Sequence, residues 1–456
     1  MYNVTFVSKH SRSSRGDSQK QLNENIQAGI DALMQTVRVN TLSHNAWEAQ
    51  ESKIKAAAAR IVKLGGLRVI CAPDAETKGL QRSILRQLEN IPMHRNAHGF
   101  IRGRDPRSCA GAHTTYWGSQ ANHLVILNMD AADFFHSVTS RHVRKALEAH
   151  GVSPKNASSI IQACMVKPDW ELASAVLKGL LNLAKKRRIS GIIDGTHNTI
   201  EAFCLSNPLG KKLAYLIVES FLSIGPGVTA ASRFLPQGAP TSPFLSNLMM
   251  KIVDIRLEAM AKAFGGFYTR YADDLTVSWV ARAQGKTIDG MYRCANEVLQ
   301  EYGILLNRRK KKVMGMGVRQ DIVGYCVNSG TPTISQRYRK NIRAAIHNEV
   351  VHGSANFRNG KRQPAFSGEA YDNTGPSLLR QQEIQGRISY IQVAHPDEAA
   401  RYRERMQYVA YGSNRSLFTE TPQQHEIELS VSQKIDAQGI NEGLIEFDLH
   451  PRDLLG

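Results

Sequence analysis

The chain has 456 residues, of which 42% are hydrophobic and 21% are charged. This length is typical of two or three domains, and the composition is that of a globular protein rather than a disordered one. No apolar run reaches the length of about 18 residues that spans a membrane, and no secretory signal is visible, so a cytoplasmic protein without membrane association is expected. Six scattered cysteines, none in a CxxC pair, are typical of thiols in a reducing compartment.

Positive charge is the first feature that points to a partner. The chain carries 58 Lys and Arg residues against 40 Asp and Glu residues, a net charge of +18. Such an excess indicates a polyanionic partner, either nucleic acid or an anionic membrane surface. The basic residues are spread over the whole chain rather than along one amphipathic helix, and this favours a long nucleic-acid groove.

The N-terminal part is predicted to be mostly helical. Residues 1–25 are polar and basic and are expected to form a loose arm, and the helical spacing over 26–63 predicts two helices. A strand is predicted over 68–72, ended by Pro73, and an amphipathic helix over 78–90.

The middle of the chain alternates strands and helices. The apolar run 124–129 predicts a strand that ends on Asp130. Within 165–215, an amphipathic helix is expected to pack its apolar face on the neighbouring domain and to project its basic end, which consists of Lys185, Lys186, Arg187 and Arg188. A helix is predicted near 236–260, after a Pro-Gln-Gly turn. Residues 267–271 and 275–278 then predict a hairpin.

The C-terminal part reads as helical and then acidic. A helix over 287–302 and strand-like residues over 322–334 precede a helical region that begins at about 337. The last segment, 413–456, inverts the charge, with eight acids against three bases, and is expected to form an acidic tail.

Three carboxylates follow the predicted strands. Asp130 ends one strand, and Asp273 with Asp274 occupies the hairpin tip. A hairpin tip can simply expose two acids to water. Set in an apolar sheet, adjacent carboxylates repel each other strongly unless cations are bound. Placed beside Asp130, the pair would form an oxygen-ligand site for two Mg²⁺ ions, which suits in-line phosphoryl transfer.

Three sequence boxes around these acids resemble those of reverse transcriptases. The boxes are Tyr271-Ala272-Asp273-Asp274, the stretch Asn128-Met129-Asp130-Ala131-Ala132-Asp133-Phe134-Phe135, and Leu235-Pro236-Gln237-Gly238-Ala239-Pro240-Thr241-Ser242-Pro243. Similar blocks extend over about 55–410, including Ala97-His98-Gly99-Phe100 and Ile322-Val323-Gly324-Tyr325, and look like those of the bacterial retron and group II intron-like lineage. The combination most resembles retron or defence-associated reverse transcriptases.

The resemblance implies an α+β fold, the right-hand polymerase with fingers, a palm whose antiparallel sheet bears the YADD hairpin, and a helical thumb. The implied division is a basic arm with helices over 1–60, fingers over 61–122, palm over 123–334, thumb over 335–412, and the acidic tail. The basic helical segment of about 165–215 would be an insertion in the palm.

The resemblance also assigns roles to individual residues. Asp130, Asp273 and Asp274 would be catalytic and, with the backbone carbonyl of Ala131, would hold two Mg²⁺ ions, Mn²⁺ being an alternative. The implied dNTP-binding residues are Arg68, Lys78, Phe135 as a steric gate against the ribose 2′-OH, Gln237, and Lys310. The implied template and primer contacts are Gly238, Tyr271, Gly324 and Tyr325. The basic cluster 185–188 is expected to bind RNA.

The implied function is RNA-directed DNA synthesis from dNTPs, with a structured noncoding RNA as template or scaffold, DNA as product, and a role in bacterial anti-phage defence. Two departures, Cys109 where retron enzymes usually carry Asn and Val323-Gly324 without a Thr, leave open whether the chain is a true retron enzyme. Two rivals also stay open: an untemplated or protein-primed polymerase, and a polymerase-fold scaffold that only binds RNA. The sequence does not decide between a monomer, an oligomer and a complex with an accessory protein.

Overall fold

The computed structural model describes residues 2–8, 17–38, 44–59, 61, 67–189, 195–206, 209–225, 228–229, 231–280, 285–352, 357–358, 361–362 and 375–407. The described residues form two units: one takes in those up to Asp105 and Val125–Val313, the other Pro106–Leu124 and those from Met314 on. The predicted acidic tail, 413–456, lies outside the described residues. In the part of the chain described, no helix is long and apolar enough to cross a membrane.

The N-terminal segment forms a strand, and the prediction of a loose arm over 1–25 is therefore wrong. Strand β1 (Tyr2–Ser8) pairs antiparallel with β2 (Leu67–Pro73) along its whole length. Two helices, α1 (Asp17–Arg38) and α2 (His44–Ala59), lie between them in the chain. Tyr2, Val4 and Phe6 alternate on one side of β1, but the partner strand follows about 60 residues later, so the local pattern alone did not reveal the pairing.

The remaining elements of the first unit alternate helices with short strands. In chain order they are α3 (Ala75–Leu88), β3 (Leu124–Ala132), α5 (Phe134–Ser137), α6 (Ser140–Glu148), α7 (Pro154–Cys164), α8 (Trp170–Lys186), α9 (Thr196–Ser206), α10 (Gly210–Leu222), α11 (Ser242–Ala263), β4 (Phe267–Tyr271), β5 (Asp274–Val280), α12 (Gly285–Glu301), β6 (Leu305–Leu306) and β7 (Lys312–Met314), with α4 (Pro106–Trp117) belonging to the second unit.

A central sheet carries the predicted strands. Its order is β4-β5-β3-β6, with β7 also paired to β3, and the β4–β5 and β3–β6 pairs are antiparallel. Helices α6, α7, α11 and α12 bury their apolar faces in one core with these strands, including Leu127, Met129 and Leu275. This combination of helices with an antiparallel sheet is the α+β architecture of a right-hand polymerase palm, and it confirms the predicted fold class.

Helix α8 packs in a core separate from that of the central sheet. Its buried residues join α1, α2, α9, α10 and the β1–β2 pair in a second apolar core, distinct from the core beneath the central sheet. Gly179 allows the close approach, because a Cβ there would lie 2.7 Å from the carbonyl oxygen of Val4. The apolar face of α8, which the resemblance leads us to expect on the palm, packs on α10, within the predicted palm, and on the N-terminal helices, away from the central sheet.

The second unit pairs a small hairpin with helices. Helix α4 packs on the hairpin of β8 (Asp321–Ile322) and β9 (Tyr325–Cys326), and α13 (Gln336–His352), α14 (Gly375–Ala394) and α15 (Pro396–Gln407) pack together. A short pair, β10 (Phe357–Arg358) and β11 (Lys361–Arg362), lies between α13 and α14 in the chain. The buried carboxylate of Glu398 accepts hydrogen bonds from Arg339 and Tyr402, which ties α13 to α15.

Candidate active site

The sheet brings the three predicted aspartates onto neighbouring strands. Tyr271 pairs directly with Asp274, so Ala272 and Asp273 form a two-residue turn, and Ala272 adopts a φ of +55°. The amide of Ala131 donates to the carbonyl oxygen of Asp273 at 2.9 Å. This bond fixes the hairpin tip beside the end of β3, where Asp130 is buried.

Burial and neighbouring negative charge change the acidity of the two hairpin carboxylates. Burial, with the charge of Asp130 added to it, raises the pKa of Asp273 above its usual value. Although Asp274 keeps an exposed edge, loss of hydration and the charges of Asp273 and Asp130 raise its pKa to about 6. The Lys310 ammonium opposes both shifts, and its Nζ lies 2.7 Å from Oδ1 of Asp130. The site therefore concentrates negative charge that cations would relieve.

The donor set suits Mg²⁺, although its coordination geometry is not preassembled. Within the described ranges, no three His, Cys, Asp or Glu side chains, these aspartates included, have the spacing of a metal centre. Carboxylate oxygens are nevertheless the ligands that Mg²⁺ prefers, and burial together with neighbouring negative charge raises the pKa of Asp273 and of Asp274, an effect that bound cations would offset. The residues present thus fit the predicted ions in ligand chemistry and in charge.

Four consecutive basic residues, Arg309 to Lys312, line the pocket beside the aspartates and are called the basic wall. An open pocket of about 400 Å³ is lined by Asn128, Met129, Asp130, Asp274, Arg309, Lys310, Lys311 and Lys312. The ammonium group of Lys311 is already paired: its Nζ lies 2.7 Å from Asp289 and 4.5 Å from the centre of the Tyr292 ring. Consecutive cations beside paired carboxylates form an arrangement suited to binding the phosphates of a nucleotide through its anionic oxygens.

The Pro-Gln-Gly turn is fixed against β2. The amide of Cys71 donates to the carbonyl oxygen of Gln237 at 2.8 Å. Gly238 has a φ of +117°, and a Cβ there would lie 2.8 Å from Ile70 Cγ2, so only glycine fits. Strand β2 also carries Arg68, whose positive charge lowers the pKa of Asp273 and so opposes the effect of burial. The structure thus brings Arg68 and the turn to the neighbourhood of the aspartates.

Comparison with known proteins agrees with this geometry. The family model described as reverse transcriptase (RNA-dependent DNA polymerase) matches residues 193–343, which include the Pro-Gln-Gly turn and both hairpin aspartates. The retron Mx162 reverse transcriptase of Myxococcus xanthus is 29% identical over 345 residues, or 73% of this chain and 56% of the relative. Residues 193–343 are therefore similar to the reverse transcriptase family, and the chain is similar to retron reverse transcriptases over most of its length.

A second relative and a solved structure also match this chain only in part. The retron Mx65 reverse transcriptase of Myxococcus xanthus is 30% identical over 63% of this chain and 54% of its own length, so the chain spans about half the length of these relatives. A solved structure of telomerase from Candida albicans with a fragment of telomeric RNA is 12% identical, with a TM-score of 0.32 over 83% of this chain and 65% of that chain. We draw nothing about the site from so distant a structure.

Phe135 lies between two other aromatic rings. Phe135 lies on α5, half-buried, with its ring centroid 5.6 Å from that of buried Phe134 and 6.0 Å from that of Phe100. Tyr271 is half-buried and pairs with Asp274. Lys78 is exposed on α3. The roles predicted for these three residues and for the Ala131 carbonyl stay predictions.

Two predicted primer contacts lie in the second unit. Val323 and Gly324 form the turn of the β8–β9 hairpin with φ values of +47° and +86°. A left-handed valine is a backbone outlier of the kind that often marks functional sites. Tyr325 is buried, with its ring centroid 5.6 Å from that of Tyr390. The β8–β9 hairpin belongs to the second unit, and its predicted contact with the primer also stays a prediction.

A buried ion pair beneath the YADD turn was missed at the level of sequence. Arg270 and Asp254 are both fully buried and joined by two hydrogen bonds of 2.8 Å, and Tyr268 donates to Asp254 as well. The same guanidinium donates to the carbonyl of Ala272 at 3.0 Å and to Asn247 at 2.9 Å. Arg270 therefore connects helix α11 to the backbone of the YADD turn. Its position in an apolar strand, one residue before the YADD box, was the available signal.

The raised pKa of Asp274 predicts a pH-dependent stability. Because the folded state holds this proton more tightly than an ordinary Asp does, the ion-free protein should lose stability as pH rises from about 4 through about 6. In EDTA at pH 8, Asp274→Asn should therefore melt at a higher temperature than the wild type, and the gap should close below pH 4. Asp31→Asn, a substitution of an exposed residue on α1, is the control. Equal melting of Asp274→Asn and wild type at pH 8 would contradict the predicted repulsion.

Proposed function

We propose that the chain is an RNA-directed DNA polymerase that copies a structured noncoding RNA into DNA. The observation that carries the proposal is the backbone hydrogen bond from Ala131 to Asp273. It holds the hairpin aspartates beside Asp130, and the basic wall lies opposite them. The family model and the printed names of the retron relatives support the same activity.

The proposed reaction joins a primer to a dNTP. The 3′-oxygen of the primer forms a bond to the α-phosphorus, the bond to the bridging oxygen breaks, pyrophosphate leaves, and the hydroxyl proton passes to solvent. Asp130, Asp273 and Asp274 would hold two Mg²⁺ ions, or Mn²⁺, which supply stabilisation of the charge on the transferring phosphoryl group. Arg68 and Lys310 would neutralise the triphosphate, and Lys310, whose side chain is 60% exposed, would exchange its ion pair with Asp130 for one with the leaving group.

The template would approach along the Pro-Gln-Gly turn. Gly238 is exposed and has no side chain, so its backbone can approach a base closely, while Gln237 is held by Cys71. We assign Gly324 and Tyr325 to the primer, following the resemblance, and Tyr271 to the primer terminus, because Tyr271 pairs with Asp274.

Sugar selection should depend on Phe135. Phe135→Ala removes the ring that we expect to clash with a ribose 2′-OH, so the preference for dATP over ATP should fall by about 10-fold or more, which corresponds to roughly 1.4 kcal/mol. The measurement is kcat/KM for both nucleotides on one template. An unchanged ratio would make Phe135 a packing residue only.

RNA binding outside the polymerase groove should depend on the end of α8. Lys185, Lys186 and Arg188 are exposed there. Replacing these three and Arg187 by Ala should weaken binding of a structured cognate RNA and lower the slope of log K against log salt by about 0.7–0.9 for each lost phosphate contact. Extension of a short unstructured primer–template should hardly change. Equal loss on both substrates would place the cluster in the general nucleic-acid channel.

We further propose that this synthesis takes place in the bacterial cytoplasm and serves anti-phage defence, in line with the resemblance to retron and defence-associated enzymes. The proposal predicts a dedicated RNA partner. Sequencing the nucleic acid that copurifies with the protein should recover one dominant structured RNA, and a sample of random cellular RNA would count against it.

One assay separates this function from its rivals. Labelled dNTPs are supplied with a primer and RNA template, with primer alone, or with neither, and the products are resolved before and after protease digestion. Extension that requires both template and primer supports the proposal. Products made without template indicate an untemplated polymerase, products that lose protein mass on digestion indicate a protein primer, and binding without synthesis indicates a scaffold.

A further inference from the structure

A short segment before α4 packs on the back of the catalytic turn. The amide of His98 donates to the carbonyl oxygen of Arg270 at 2.7 Å. The carbonyl of Gly99 accepts from Asn247 Nδ2 at 2.7 Å. A Cβ on Gly99 would lie 2.4 Å from the amide nitrogen of Ala272, so this backbone lies directly against the turn. The position of the next residue is therefore fixed by the same network that fixes Asp273.

That next residue, Phe100, has an unusual conformation. Its φ is +60° and its side chain is 49% exposed. A bulky residue rarely adopts the left-handed region, and exposing a large ring forgoes the hydrophobic stabilisation that burial would give. Backbone outliers of this kind persist where the surrounding structure imposes them, and they cluster at functional sites.

The ring of Phe100 is directed to Phe135. Their centroids lie 6.0 Å apart with the planes tilted by 45°, within the range of favourable aromatic pairs. Buried Phe134 flanks Phe135 as well, at 5.6 Å. Phe135 is thus bracketed by one ring fixed in the core and by one ring carried on the segment that touches the catalytic turn.

We propose that Phe100 is a specificity-determining positioning residue, which holds the ring of Phe135 in the orientation that rejects a ribonucleotide. This inference rests on the proposed function, because it concerns the sugar choice of the same site. Phe100 acts through Phe135, and Gly99 holds the Phe100 backbone against the turn that carries Asp273.

The test compares substitutions that remove or keep the ring. Phe100→Gly removes it and tolerates a positive φ, Phe100→Tyr keeps it, and Leu80→Ala removes another exposed apolar side chain, on α3. Single-nucleotide extension with dATP and with ATP gives the ratio of kcat/KM for each variant. Phe100→Gly should lower the ratio about 2- to 10-fold, as expected from the loss of one aromatic pair, with kcat for dATP nearly unchanged. Phe100→Tyr and Leu80→Ala should keep the wild-type ratio.

A double variant tests the route of the effect. If Phe100 acts through Phe135, then Phe100→Gly combined with Phe135→Ala should show the ratio of Phe135→Ala alone. An unchanged ratio in Phe100→Gly, an equal loss with dATP and ATP, or additive effects in the double variant would overturn the proposal. Absence of dATP incorporation by the wild type would instead refute the proposed function, so the two failures are distinguishable.

Discussion

Asp273→Ala or Asp274→Ala is expected to abolish dNTP incorporation, by at least about 10³-fold, while binding of RNA stays nearly intact. The reason is that these carboxylates are assigned to cations and not to phosphates, which face the basic wall of Arg309 to Lys312. Single-turnover incorporation and RNA filter binding, measured on the same preparation, give the two quantities.

Asp31→Ala is the matched control for these substitutions, because Asp31 is an exposed acid on α1 whose carboxylate accepts a surface hydrogen bond from Gln27. It should leave both quantities at wild-type values. Normal incorporation by a chain carrying both Asp273→Ala and Asp274→Ala would refute the assigned metal ligands.

Arg270→Met should destabilise the first unit by about 3–5 kcal/mol, because it leaves the carboxylate of Asp254 buried without its partner. Thermal unfolding at pH 7, followed by circular dichroism, measures the change. The accompanying loss of the bond to the Ala272 carbonyl should also reduce incorporation by the folded fraction.

Arg256→Ala is the control for the buried pair. Arg256 lies on the same helix α11 as Asp254 and makes two hydrogen bonds to Glu301, but this ion pair is exposed and should be worth at most about 1 kcal/mol. A melting temperature of Arg270→Met that is no lower than that of Arg256→Ala would contradict the importance of the buried pair.

The sequence was sufficient for the elements around the aspartates. Strand β3 is a continuous apolar run, and β4 and β5 flank two acids with strand-forming residues, so local pattern predicted both the strands and the hairpin. The amphipathic spacing of α8 likewise predicted that helix. In each case the information lies within a single continuous stretch of the chain.

Features that depend on distant partners were missed or misjudged. The pairing of β1 with β2 joins segments about 60 residues apart, and the packing of α8 on β1 depends on that pairing. Arg270 carries a charge, which ordinarily indicates an exposed position, and only the fold shows that Asp254, 16 residues earlier, neutralises it. The sequence pattern likewise contains no sign of the left-handed backbone of Phe100, or of the close approach of Gly99 to the YADD turn.

Template-directed choice of nucleotide tests the central claim most directly. A DNA primer is annealed to four RNA templates that differ only in the base opposite the next position, and each dNTP is offered singly with Mg²⁺. RNA-directed synthesis predicts that the complementary dNTP is preferred on every template, by at least about 100-fold in kcat/KM, or roughly 2.7 kcal/mol. Insertion of the same dNTP whatever the template base would contradict the account.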